Sequence, residues 1–172
     1  MTISKDHTIL RHRLRAALFY WLWLPGLVIG SGLILDRLCS LPRWRHGPWT
    51  QGAALLLLAV GLSLIRRSEQ DLAQLGEGTP SPLAPSRQLV TTGSFALCRH
   101  PMTLGYDLAA LAIVFSLGSP AMLLVSYPLM LLWQVRFLLR EEEGLARRFR
   151  ETYPAYRART PFLFPWLPPP PR

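Results

Sequence analysis

Two short stretches carry residue types that could do chemistry. The first is "CRHPMTLGY", residues 98–106, where Arg99, His100 and Pro101 stand directly before an apolar run that holds one acid, Asp107. Proline lacks an N–H and suits the first turn of a helix, so a helix is predicted to start at Pro101 with His100 at its entrance. The free backbone amides of such a start favour an anion, and Arg99 and His100 add donors of the same sign. The second stretch is "RFLLREEEGLARRFR", residues 136–150, in which Glu141, Glu142 and Glu143 are flanked by Arg136, Arg140, Arg147, Arg148 and Arg150. Trp133, Phe137, Glu141, Leu145 and Phe149 recur at every fourth position, so Glu141 interrupts an otherwise apolar helical stripe and is expected to face the interior. The alternative is surface ion pairing of all three acids with the arginines, worth only about 0.3–0.5 kcal/mol per pair.

The elements that must position these residues are helices in a bilayer. Half of the 172 residues are hydrophobic and the mean hydropathy is positive, which is unusual for a water-soluble domain. Residues 16–35 and 47–65 carry no charge, and each run is close to the roughly 20 residues that cross about 30 Å of hydrocarbon. Residues 101–139 read as a helical hairpin broken at Gly118, Ser119 and Pro120, with arms barely long enough to span. The predicted fold is therefore all-α: a polytopic bundle of about four spans, the last two a hairpin, with a cytosolic helix over 140–160 and a proline-rich tail over 161–172. Gly26, Gly30 and Gly32 in the first span suggest a close helix-packing face. The first span is longer than the apolar core of a secretory signal and no convincing cleavage site follows it, so it is expected to remain as an anchor.

Charge supplies the orientation. Lys5, Arg11, Arg13 and Arg15 precede the first span, Arg66, Arg67, Arg87 and Arg99 lie in the connection 66–100, and seven arginines fall between Arg140 and Arg172. With four spans these groups share one side, which places both termini in the cytosol and the chain in the cytoplasmic membrane. The net charge of +9 thus needs no nucleic acid, and no nucleic-acid recognition module is present. Cys39 and Cys98 form no CxxC pair and the four histidines show no ligand spacing, so no metal is expected.

The connection 66–100 is too long to be a simple link. Gly76, Glu77 and Gly78 lack the rest of a nucleotide-binding fingerprint and read as a turn. "RQLVTTGSFALCRHP" has Leu89, Val90, Phe95 and Leu97 around Gly93, and it can lie against the bundle at the membrane surface. The terminal Phe162, Phe164 and Trp166 suit the membrane interface.

"TTGSFALCRHPMTLG", followed after the hairpin by "REEEGLARRFRETYPAYRARTPFLFP", resembles the isoprenylcysteine carboxyl methyltransferase and phospholipid methyltransferase superfamily. The shared pattern is a glycine and an aromatic before Arg-His-Pro, a glycine four residues after the proline, then paired glutamates, a leucine, and two tyrosines leading to a basic residue and proline. It covers roughly Arg87 to Pro165. The resemblance implies an integral membrane enzyme that moves a methyl group from S-adenosyl-L-methionine to a lipophilic or prenylated acceptor. Carried over residue by residue, it implies Gln88, Leu89, Val90, Phe95, Arg99, His100, Pro101, Met102 and Thr103 for the cofactor, with Glu141 as the first glutamate and Glu142 as the second. Arg99 and His100 would receive the methionine carboxylate while apolar side chains enclose the adenine. Glu141, Glu142, Arg136 and Arg140 are the residues expected nearest the chemistry, and Glu143 is expected on the outer face.

Three positions depart from the family pattern. Thr103 and Phe95 stand where tyrosine is common, and Phe137 replaces an arginine one turn before the glutamates, leaving Arg136 and Arg140 offset. These changes weigh against a prenylcysteine carboxylate as acceptor. Two other functions compete: an NADPH-dependent sterol-type membrane reductase, against which Met102 and Thr103 argue, and a non-catalytic relative that binds a lipid or partner.

Overall fold

The computed structural model describes residues 24–44, 47–77 and 86–165. The basic residues before the first span, residues 16–23 of that span and the end of the proline-rich tail from Trp166 lie outside the described residues, as does the orientation drawn from them. The described residues are helical and contain no strand. In chain order they form α1 (Leu24–Leu38), α2 (Pro48–Leu75), a 3-10 turn (Gly93–Ala96), α3 (Pro101–Leu117), a π turn (Met122–Ser126), α4 (Tyr127–Arg148) and α5 (Tyr153–Arg159).

Two helical stretches, Pro48–Leu75 and Met122–Arg148, are long and apolar enough to cross a membrane. The intervening α3 is apolar but has 17 residues, short of the roughly 20 that a perpendicular crossing needs. Two boundaries differ from those expected. α2 runs on past Ile65 to Leu75, because residues 66–75 contain no glycine or proline and several good helix formers. α4 passes without interruption through position 140, so the second arm of the hairpin and the glutamate cluster share one rigid rod.

Local chemistry explains the ends. Pro48 opens α2, where the Thr50 hydroxyl accepts the Gly47 N–H at 3.0 Å. Pro101 opens α3, and the Leu104 N–H already reaches the His100 carbonyl at 3.0 Å. Gly118 closes α3 at φ +64°, a left-handed conformation that a side chain disfavours. At the hairpin tip, the buried Asp36 accepts the Ala121 N–H at 3.0 Å, and Ser119 Oγ accepts the Met122 N–H at 3.0 Å.

α2 and α3 form the most extensively packed helix pair. Gly61 and Gly105 face each other there: a Cβ on Gly61 would lie 2.6 Å from the Gly105 carbonyl oxygen, and one on Gly105 would lie 2.7 Å from that of Gly61. Within the glycine series of α1, Gly32 alone makes a close approach, against Met122 of the π turn; a Cβ added to Gly26 or Gly30 would meet nothing within 4 Å. The helix-packing role expected of those three glycines therefore falls to one of them. Lipid-like exposure dominates elsewhere, with Leu55, Leu56, Leu124, Leu129 and Leu132 all open on the outer faces.

Candidate active site

Pro101 fixes the start of α3, so His100 sits at its cap and Arg99 immediately before it. Both are buried, although each could carry charge. The backbone N–H of Arg99 donates to the Pro161 carbonyl at 2.9 Å, which brings the segment after α5 over the helix entrance. Phe162 then covers the two side chains, with the Arg99 guanidinium 5.3 Å from its ring centre and the His100 imidazole edge-on at 5.1 Å.

α4 supplies the acid. Glu142 is 3% exposed, and its Oε1 lies 2.8 Å from Arg99 Nη1 and 3.4 Å from His100 Nε2; its Oε2 lies 3.9 Å from the half-exposed Arg157 Nε. Glu141 keeps half of its side chain in the open and reaches His100 Nδ1 only at 3.9 Å. Glu143 is exposed and approaches Arg147 at 3.9 Å on the outer surface. Glu142, rather than the expected Glu141, is thus the acid that faces inward. Trp133, Phe137 and Glu141 share the exposed side of α4, whereas Gln134, Leu138 and Glu142, also four apart, form the side that meets α3. In water the apolar stripe would mark the interior; beside lipid it marks the exterior, and the polar residue becomes the inward one.

The remaining expected residues divide by position. Val90 and Pro101 are buried, Leu89, Phe95, Met102 and Thr103 are half-buried, and Gln88 is exposed with its amide donating to Glu77 at 3.0 Å. Arg136 and Arg140 are exposed on α4 and are not brought to Glu142. Residues to which the sequence reading gave no place in the site complete the cluster. Tyr153 is buried beside Glu142, Tyr156 donates its hydroxyl to the Phe95 carbonyl at 2.8 Å, and Phe162 is a lid on Arg99 and His100 rather than only an interfacial anchor. The tyrosine pair in "TYPAY" was the available signal for the first two.

The cluster is buried, and its polar groups are poorly aligned with one another. Arg99 Nε and Nη1, His100 Nε2, Glu142 Oε1 and the Tyr153 hydroxyl are all buried and make no well-aligned hydrogen bond among the described residues, although Nη1 and Nε2 both approach Oε1 as ion pairs. The close Arg99–Glu142 approach is an ion pair whose geometry is misaligned for a hydrogen bond. A buried polar atom without an aligned partner costs about 1–3 kcal/mol, and ion pairing offsets only part of that here, so the cluster is a site that a polar ligand would relieve. Burial, and next the Glu142 carboxylate, push the Tyr153 phenol up, so it stays protonated and can donate. The buried groups are a guanidinium, an imidazole, one carboxylate and one phenol, which match a ligand carrying both a carboxylate and an ammonium.

Deeper on α3, Asp107 is buried and accepts the Gln134 amide of α4 at 2.9 and 3.0 Å, while the Tyr127 hydroxyl reaches its backbone carbonyl at 3.1 Å. Leu104 and Leu138, packed in one core cluster, lie between this tie and the Arg99–His100–Glu142 group along the two helices. Asp107 therefore fastens the hairpin arms. A separate cavity of about 300 Å³ between α2 and α3 is lined by Gln51, Ala54, Leu55, Leu58, Ala112, Ile113 and Ser116. It has no ionisable lining residue and does not touch the polar cluster. Among the described residues no three His, Cys, Asp or Glu side chains gather to hold a metal ion.

A family model described as phospholipid methyltransferase matches residues 49–152, more than half of the chain and the part that carries Arg99, His100 and Glu142. The cobalt-zinc-cadmium resistance protein CzcN of Cupriavidus metallidurans is 30% identical over 165 residues, which is 94% of this chain and 68% of that protein. No solved structure matches the chain.

Proposed function

Because the chain belongs to the phospholipid methyltransferase family, a group of membrane methyltransferases, we propose that it methylates a lipidic or isoprenoid-type acceptor at the cytosolic rim of the membrane with S-adenosyl-L-methionine as donor. The observation that supports this best is the buried Arg99–His100–Glu142 cluster, whose polar atoms are paired by charge but lack aligned hydrogen bonds. The methionine end of the donor is a zwitterion, and the cluster offers a complement to each of its charges. Arg99 and His100 would hold the carboxylate at the entrance of α3, where backbone amides add favourable potential. Glu142, with the Tyr153 hydroxyl, would hold the ammonium. Val90, Phe95 and Met102 would give the adenine an apolar wall, and Phe162 would exclude water from above.

When bound, S-adenosyl-L-methionine supplies an electrophilic methyl group on a sulfonium. The protein's part is then to orient that group and keep the reacting centre dry, because an in-line displacement gains most from alignment and little from added functional groups. The exposed Arg157, 3.9 Å from Glu142, stands at the outer edge of the cluster, where an acceptor's anionic group could meet it.

Calorimetry of S-adenosylhomocysteine with the purified protein in lipid nanodiscs tests the site. The wild type is expected to bind, and His100→Ala and Glu142→Ala should each weaken binding at least tenfold, roughly 1.4 kcal/mol or more. Glu143→Ala should leave affinity unchanged, and Glu141→Ala should have the smaller effect of the neighbouring pair. Full affinity in His100→Ala and Glu142→Ala would overturn the assignment. Lipid extracts incubated with methyl-labelled donor would then identify the acceptor.

A further inference from the structure

We propose that Asp71 is a positioning residue for this site: from α2 it holds the segment that carries Arg99 and His100, an inference that rests on the reading above. Asp71 lies near the C-terminal end of α2, and its Oδ2 accepts two hydrogen bonds from Ser94, from the backbone N–H at 2.7 Å and from Oγ at 2.6 Å. Short bonds to an ionised acceptor are the strong ones. The carboxylate also fills the space beside Gly93. That residue has φ +63°, and a Cβ there would lie 2.5–2.7 Å from the Asp71 carboxylate atoms. Only glycine allows the acid so close, and the acid in turn receives an amide from the start of the 3-10 turn Gly93–Ala96.

From that turn the chain runs directly into the site. The Phe95 carbonyl accepts the Tyr156 hydroxyl from α5, and the Arg99 N–H donates to Pro161. The segment is therefore pinned from three separate parts of the chain, and Asp71 is the charged pin. It touches neither Arg99, His100 nor Glu142 in any described contact, so its removal changes where those groups stand without changing what they are.

The test reads two independent quantities in a Cys39→Ser background: S-adenosylhomocysteine affinity, and the alkylation rate of Cys98, which is fully buried in the pinned segment and needs no cofactor to report. Asp71→Ala should weaken affinity roughly tenfold and speed alkylation. Asp71→Asn, which keeps one acceptor oxygen, should recover part of both. Ser126→Ala, which removes the remote Ser31–Ser126 hydrogen bond, should change neither and controls for general loosening. If Asp71→Ala does not fold, Asp71→Asn and Ser94→Ala carry the same comparison with milder losses. Wild-type affinity in the Asp71 variants while His100→Ala has lost binding would overturn the proposal. If His100→Ala also binds normally, the assignment of the site falls instead, and an unchanged Cys98 rate would then overturn the role of Asp71 on its own.

Discussion

A buried charge pair is held at a cost, because the loss of hydration competes with the attraction between the partners. Arg99 and Glu142 accept that cost, and their neighbours share it. Burial raises the Cys98 thiol to about 11, against the opposing pull of the His100 backbone, and it raises the Tyr153 and Tyr156 phenols as well. The folded state thus keeps these protons more tightly than the unfolded chain does. The stability that the buried thiol contributes is complete below its ordinary value of 9.0 and is lost as pH climbs through about 11, and the phenols follow at higher pH. The denaturation midpoint in detergent should accordingly fall from about pH 9 upward, and Cys98→Ala should delay the onset until the tyrosines titrate. A flat profile to pH 11 would contradict the burial. At this scale the sequence named Arg99, His100 and a glutamate, since their types are rare beside apolar runs. It could not choose Glu142 over Glu141, because a stripe of fours says which residues share a face and not whether lipid or protein lies against it.

Helices place those residues, and the crossing of α2 and α3 matters most. Gly61 and Gly105 let the two backbones meet, so His100, five residues before Gly105, and Asp71, ten residues after Gly61, are fixed relative to one another. Gly61→Ala or Gly105→Ala forces a Cβ against backbone and should destabilise the fold by about 1–3 kcal/mol. Gly52→Ala, on the same α2 with open space around it, should be neutral or stabilising by up to about 1 kcal/mol. Denaturant titrations of the three variants in one detergent check the contrast, and equal effects would dissolve the distinction between crossing and surface. The uninterrupted apolar runs pointed to helices, and two of the four expected spans, those at Pro48–Leu75 and Met122–Arg148, are long and apolar enough to cross a membrane. The sequence pointed to the glycine-rich α1 for close packing, since Gly61 and Gly105 stand in different helices and nothing in the sequence pairs them. Asp71 was equally hidden, because its partner lies 23 residues on across a turn.

The whole molecule is legible in one further respect: the medium that surrounds it. Leu56 and Leu132, each 66% exposed, lie well inside the two helices of spanning length. Around a water-soluble protein, arginine at an exposed position would change stability by less than about 0.5 kcal/mol. In hydrocarbon the same change costs roughly 2.5–3.5 kcal/mol near a span's centre, because the guanidinium must stay solvated. Leu56→Arg and Leu132→Arg should therefore reduce the fraction of protein that resists alkaline carbonate extraction from membranes, while the same change at the exposed Gln70, beyond the apolar part of α2, should not. Were all three variants to insert as the wild type does, the open leucines would have to face water or another protein. The inward placement of Glu142 would then lose its explanation, since that placement follows from lipid holding the apolar side of α4 outward.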